Sequence, residues 1–157
     1  MFDMMFYMVS AYCGWVICKD TEWMPSYLGG NGHLSLSLSN LPFAKYEPIL
    51  PTYAFITFGF RIEGFISNFL KKEKANDYME MFFHDIVTIL LFLGYLYGNM
   101  MPIGTLVVII HDVTDVPCHI SKGLYATIYR DQATVPFLFS QLLWAYLRLY
   151  CFARIIH

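Results

Sequence analysis

The sequence has few charged residues: Asp, Glu, Lys and Arg make up 14% of its 157 residues, against about 25% in typical soluble domains. It also lacks a block of charge of either sign, and its formal net charge is −2. The missing basic patch argues against nucleic-acid binding. Because hydrophobic residues reach 57% and aromatic residues 18%, the composition predicts an integral membrane protein.

Closely spaced cysteine pairs are also missing. The four cysteines lie in or beside apolar stretches and form no Cys-x-x-Cys motif; they are Cys13, Cys18, Cys118 and Cys151. Neither a disulfide framework nor a cysteine-based zinc site is therefore predicted. We interpret these cysteines as small apolar side chains.

Long apolar runs, in contrast, are abundant. Five of them approach the roughly 20 residues that a helix needs to cross a bilayer, at about 2–18, 49–70, 78–97, 103–122 and 134–156. The first run has no basic flank before it, carries Asp3 and is followed by no clear cleavage site, so we expect a retained span. The sequence therefore predicts an all-α, polytopic transmembrane bundle of about five spans in a single domain, residues 1–157.

One long connection, at about 19–48, separates the first two spans. Its Gly29-Gly30-Asn31-Gly32 turn and nearby prolines predict a surface loop. The LSLSLS segment at 34–39 alternates like a short strand. A single strand would have no partner, so we predict loop structure here as well.

Five ionisable residues interrupt the fourth apolar run, GTLVVIIHDVTDVPCHISKG at 104–123, and they are His111, Asp112, Asp115, His119 and Lys122. His111, Asp115 and His119 are spaced i, i+4, i+8, and the other two lie close to the same helical face. An unpaired charge inside a bilayer costs several kcal/mol, so these groups should face a polar chamber rather than lipid.

The third span contributes to the same predicted chamber through His84 and Thr88, which are spaced i, i+4. Pro117 lies within the fourth span and predicts a bend there. The alternative is that the polar groups only hydrogen-bond to one another and hold the bundle together. The pattern of residues leaves both interpretations open.

The tract from Asp77 to about Arg148 resembles the TLC domain of ceramide synthases, the longevity-assurance family of sphingoid-base N-acyltransferases. The likeness is closest in NMMPIGTLVVIIHDVTD at 99–115, which is similar to the family's signature segment nearly residue for residue. CGWVICKDTEWM at 13–24 and the 49–70 run resemble earlier parts of the same domain more loosely. The first spans of a full-length synthase are expected to be missing.

The resemblance implies a helical barrel that encloses a cavity for a long acyl chain. Its catalytic residues in this sequence would be His84, His111, Asp112 and Asp115, which would transfer an acyl group from acyl-CoA to a long-chain amine without a further cofactor. Imidazole is a competent base and nucleophile near neutral pH, and a neighbouring carboxylate selects its tautomer. We expect the lipid to be contacted by Thr88, His119 and Lys122.

Two departures from the family pattern argue against catalysis. Phe83-His84 stands where the family has two successive histidines, so one imidazole is absent. His119 stands where the family has a glutamate after the HDxxD segment. We therefore expect a lipid-binding accessory subunit of a larger membrane complex. The alternative is an active sphingoid-base N-acyltransferase that uses acyl-CoA. Transfer of the missing role to His119, which shares a helical face with His111 and Asp115, is one way in which activity would be retained.

A metal site is a further alternative, since His84, His111, Asp115 and His119 offer ligands for zinc or iron. The family likeness does not call for a metal, and the chain's 5 histidines are few for a di-iron membrane hydroxylase. We expect none.

Membrane lipids and other membrane subunits are the expected partners. Arg61 and Glu63 place charge within the second span, where lipid cannot satisfy them. We expect them to contact other subunits, together with Trp144 and Tyr146 of the last span. The family likeness indicates the endoplasmic reticulum, and a repurposed subunit would suit the inner mitochondrial membrane.

Overall fold

The computed structural model describes residues 2–38, 46–71, 78–125, 130–151 and 153–154, and these are helical or irregular, without a strand. Five α-helices follow in chain order: α1 (Phe2–Cys18), α2 (Ile49–Leu70), α3 (Tyr78–Tyr97), α4 (Met101–Tyr125) and α5 (Thr134–Trp144). A π-helix, Ala145–Cys151, continues directly from α5. The predicted all-α fold class is confirmed for this part of the chain.

The first three helices have the bounds of the first three predicted spans, and α4 extends beyond its predicted span at both ends. The fourth helix also continues through Pro117. The last predicted span, 134–156, begins as predicted, but its backbone changes to a π-helix at Ala145. Residues 152 and 155–156 of that span, residues 39–45 of the predicted loop and Asp77 lie outside the described residues.

The connection after α1 is compact rather than extended. Short 3-10 helices form at Ser26–Leu28 and Leu34–Ser37, so the described part of LSLSLS is a helical turn. The backbone N–H of Gly32 donates to the carbonyl of Met24, 2.8 Å away. A Cβ on Gly32 would lie 2.1 Å from the carbonyl oxygen of Glu22, so glycine is required for this close approach.

Large apolar side chains remain exposed along the helices, including Phe55 and Ile56 of α2, Leu90 and Leu91 of α3, and Leu142 of α5. Exposed apolar surface on this scale indicates contact with lipid or protein. Among the described helices, α2 and α4 are long and apolar enough to cross a membrane, whereas the apolar segments Asp3–Cys18 of α1 and Met81–Tyr97 of α3 are shorter.

The chain forms two compact units, one made of Met1–Ser37 with Thr105–His157 and the other of Leu38–Gly104. In the first unit α4 is the central helix, because Leu106 and Ile110 are almost completely buried. Side-chain contacts pair Ser10 with Asp112 and Tyr7 with His119, so α1 runs antiparallel to α4.

In the second unit α2 and α3 pack antiparallel through aromatic rings. Phe58 lies 5.5 Å from Phe92, and Phe65 lies 5.6 Å from Phe82, measured between ring centroids. The turn after α3 contains Asn99 at a φ of 54°, a conformation that Asn tolerates better than most residues. The aromatic contacts therefore determine how α3, which carries His84 and Thr88, packs against α2.

Candidate functional site

The polar face of α4 lies in the first unit, and its five ionisable residues differ in how exposed they are. Asp112 is completely buried, and His111, Asp115 and His119 are partly buried. Lys122 is exposed in the last turns of the helix. The five residues therefore share a helix without sharing one environment.

Asp112 contacts α1. The Ser10 hydroxyl donates a hydrogen bond to Oδ2 of Asp112 over 2.5 Å, and both residues are buried. A buried carboxyl group requires such a donor, since burial without one would cost several kcal/mol. Ser10 was not singled out in the sequence, although a hydroxyl residue in an apolar run is a recognisable signal for contact between membrane helices.

Asp115 contacts the π-helix. The Arg148 guanidinium donates from Nη2 to Oδ1 of Asp115 and to Oγ1 of Thr114, each over 3.2 Å. The same guanidinium lies 6.0 Å from the centre of the Trp144 ring. A charged residue within an apolar span is a signal for such a partner, but the sequence alone does not identify Asp115 as that partner.

His111 is held by the backbone of its own helix. Its Nδ1 lies 2.7 Å from the carbonyl oxygen of Val107. Because a carbonyl oxygen only accepts, Nδ1 carries the proton and donates. In the neutral ring Nε2 then carries the lone pair, which is the state that a base or nucleophile requires.

The ring of His119 packs against α1. Its ring lies 5.0 Å from the ring of Tyr7, measured between centroids, at an interplanar angle of 34°. The predicted lipid contacts of His119 and Lys122 stay predictions.

His84 and Thr88 lie on α3, in the second unit. Nδ1 of His84 is 3.3 Å from Oδ1 of Asp85, and Thr88 donates its hydroxyl to the backbone carbonyl of His84 over 2.9 Å. The neighbouring Phe83 is exposed. That these residues line one cavity with the polar face of α4 stays a prediction, as does the catalytic role of each.

Among the described residues, His, Cys, Asp and Glu side chains form no group of three or more that could hold a metal ion. The potential ligands of α4 are directed to different neighbours, as the contacts of Asp112, Asp115 and His119 show. The arrangement is therefore suited to holding helices together and to acid, base or nucleophilic chemistry by an imidazole.

The residues expected to contact other subunits lie on α2, at the end of α5 and in the π-helix. Glu63 is exposed and Arg61 is partly buried. Trp144 and Tyr146 are both exposed, and the Tyr146 ring stacks on Tyr150 at 5.5 Å between centroids. Contact with a partner stays a prediction.

Comparison with known proteins identifies one family. A family model described as the TLC domain matches residues 1–157. This family includes the ceramide synthases, so the resemblance noted in the sequence is confirmed. No curated protein and no solved structure matches the chain.

Proposed function

Because the chain belongs to the TLC domain family, we propose that it is a divergent, ceramide-synthase-like integral membrane protein that binds lipid as an accessory subunit of a larger membrane complex. In this proposal the described helices form a bundle of about five spans. A lipid acyl chain occupies a cavity in that bundle, and Thr88, His119 and Lys122 contribute to lipid binding.

The observation that carries this proposal is the engagement of both α4 carboxylates in contacts between helices. Asp112 accepts from Ser10 of α1, and Asp115 pairs with Arg148 of the π-helix. These contacts stabilise a three-part helix assembly in the first unit. They support the interpretation that the polar residues of α4 hold a bundle together.

The lengths of α1 and α3 support a bundle of about five spans, in which these two helices cross the membrane as well as α2 and α4. At 1.5 Å per residue, the 17 residues of α1 extend about 25 Å and the 20 residues of α3 about 30 Å, close to the thickness of a hydrocarbon core. The exposed apolar side chains of α3 and α5 would face lipid or other subunits. The proposed membrane is the endoplasmic reticulum, or the inner mitochondrial membrane for a repurposed complex subunit.

Purification from native membranes in mild detergent, followed by mass spectrometry, tests the accessory role. We expect stoichiometric membrane subunits and a retained lipid, and we expect Glu63→Gln to reduce recovery of those subunits. Glu22→Gln is the matched control, because Glu22 is exposed in the loop after α1. Recovery of a monomer without partner or lipid would reject the proposal.

A second candidate function is acyl-CoA-dependent sphingoid-base N-acyltransfer, and the geometry of His111 favours it. The hydrogen bond to Val107 holds the proton on Nδ1, so the neutral ring carries its lone pair on Nε2, the form that a base or nucleophile requires. The residues proposed to act are His84, His111, Asp112 and Asp115, with acyl-CoA as substrate and no cofactor.

Protein reconstituted in lipid tests this second candidate through amide formation from acyl-CoA and a long-chain base. We expect His111→Ala to lower the rate by about 100-fold or more, the usual contribution of an imidazole acid or base. His33→Ala serves as control, because His33 lies exposed in the loop. Absence of amide formation by the wild-type protein would exclude this candidate.

A further inference from the structure

Four polar side chains form a connected series of contacts between α2 and α3 within the second unit. Nζ of Lys71 is 2.8 Å from Oδ1 of Asn68, and Nδ2 of Asn68 is 3.4 Å from Oδ2 of Asp85. The other carboxylate oxygen of Asp85 is 3.3 Å from Nδ1 of His84. This series of contacts ends at the His84 ring.

The direction of each hydrogen bond follows from the chemistry of its partners. Lys71 can only donate, so the Asn68 atom facing it is the amide oxygen and the Asn68 nitrogen faces Asp85. An ionised carboxylate can only accept, so Asp85 accepts from both Asn68 and Nδ1 of His84. The neutral His84 ring therefore carries its proton on Nδ1 and its lone pair on Nε2.

Adjacent residues of a helix point in different directions, so the contact between the His84 and Asp85 side chains requires an explanation. Asn68 of α2 binds the second oxygen of the Asp85 carboxylate and so holds it in the orientation that contacts His84. The side chain of Asp85 is 19% exposed, whereas that of His84 is 50% exposed. The carboxylate is thus shielded and held, while the imidazole remains accessible.

We propose that Asp85 and Asn68 are positioning residues that make His84 a reactive imidazole, directed at activated acyl carbonyl groups. An imidazole oriented by a carboxylate that is itself held by a third group is the arrangement that activates nucleophiles in unrelated enzymes. The inference goes beyond an accessory role. Only its acyl substrate class rests on the acyltransferase candidate.

Diethyl pyrocarbonate tests the reactivity without requiring enzymatic turnover. The Nε2 lone pair attacks a carbonyl carbon of the reagent, the N–C bond forms, ethyl carbonate leaves, and the Nδ1 proton passes to Asp85 or solvent. The rate at His84 is measured in the full chain by peptide mass spectrometry at a fixed, mildly alkaline pH. His33, exposed in the loop, is the internal reference.

We expect Asp85→Leu to lower the ratio of the His84 rate to the His33 rate about tenfold, as loss of a hydrogen bond to a charged group would. Asp85→Asn should retain most of the reactivity, because its amide oxygen can still accept from Nδ1. Asn68→Leu should lower the ratio about threefold. Asp20→Leu, at an exposed aspartate in the first unit, should leave the ratio unchanged.

The tautomer provides a second readout that a purely structural role would not change. In protein labelled with ¹⁵N-histidine, with His84 assigned through His84→Gln, we expect a protonated Nδ1 in the wild type and in Asp85→Asn. Asp85→Leu should shift the proton toward Nε2. If Asp85→Leu does not fold, Asn68→Leu provides the same comparison.

An unchanged His84 rate and tautomer in Asp85→Leu, or in Asn68→Leu where Asp85→Leu is unfolded, would overturn the inference. This result is independent of the acyltransferase assay. A reactive, correctly protonated His84 in a protein without amide formation would reject the acyltransferase candidate and leave the positioning role established.

Discussion

At the scale of single residues, the two aspartates of α4 contact different partners. Asp112 is completely buried and bound to Ser10, whereas Asp115 is partly exposed and bound to Arg148. The i, i+4 pattern describes one polar face, but each carboxylate meets a different helix. The contribution of each group therefore has to be measured through its own partner.

The pair of Arg148 and Asp115 should contribute measurably to stability, because both side chains are less than one third exposed. Arg148→Met should lower the free energy of unfolding by about 1.5–3 kcal/mol, the range for hydrogen bonds to charged groups. A double-mutant cycle with Asp115→Asn, followed by unfolding in detergent micelles, should give a coupling energy of about 1–3 kcal/mol.

The exposed pair of Lys19 and Asp20, with N and O atoms 3.9 Å apart, is the matched control. Lys19→Met combined with Asp20→Asn should show almost no coupling, as is usual for solvated ion pairs. A coupling at Arg148 and Asp115 no larger than this control would contradict the assigned role.

At the scale of helices, two backbone features decide which side chains meet. The π-helix Ala145–Cys151 carries Arg148, whose guanidinium reaches Asp115 of α4. Such wide turns in helices often occur at functional positions. In the second unit, the end of α3 approaches the first turn of α4 where Gly104 faces the ring of Tyr95.

Gly104→Ala should destabilise the second unit. The added Cβ would lie 2.4 Å from the Tyr95 ring, so the ring or the backbone must move. Overpacking of this kind typically costs about 1–3 kcal/mol, which should appear as a lower melting temperature in detergent. Gly59→Ala is the control, because nothing lies within 4 Å of its new Cβ.

Alanine also has a higher helix propensity than glycine, by about 1 kcal/mol. Gly59→Ala should therefore be neutral or stabilising. A melting temperature for Gly104→Ala equal to that of Gly59→Ala would show that the approach of Gly104 to Tyr95 is not tightly packed.

At the scale of the molecule, the first unit has a defined helix direction. The contacts of Asp112 with Ser10 and of His119 with Tyr7 make α1 antiparallel to α4. The segment formed by α5 and the π-helix is also antiparallel to α4, because Asp115 contacts Arg148 of the π-helix and Ser121 contacts Ala133, which directly precedes α5. The end of α1 at Cys18 and the end of the π-helix at Cys151 therefore lie at the same end of this unit, opposite the C-terminal end of α4.

Cysteine labelling in sealed vesicles tests this direction across the membrane. A membrane-impermeant maleimide should label Asp20→Cys and Arg154→Cys from the same side, and Gly123→Cys from the opposite side. Wild-type protein gives the background from Cys13, which is exposed. Labelling of all three variants from one side would contradict the proposed bundle of transmembrane spans.

The sequence by itself determined the positions of the helices and the family. The bounds of α1, α2 and α3 were predicted because apolar run length and flanking loop residues are local properties of the chain. The TLC resemblance, which the family model confirms, was recognised from a contiguous segment around His111. The π-helix after Trp144 was not predicted, because its sequence continues the apolar run without a glycine or proline.

Only the tertiary structure decided the partners of the polar residues. Ser10, Asn68 and Arg148 lie 102, 17 and 33 residues from the carboxylates that they contact. The sequence spacing identifies which residues share a face of one helix, but it does not determine which face of another helix packs against it. That choice depends on the summed packing of both apolar surfaces, and it is why a single polar stripe in the sequence became several separate contacts in the fold.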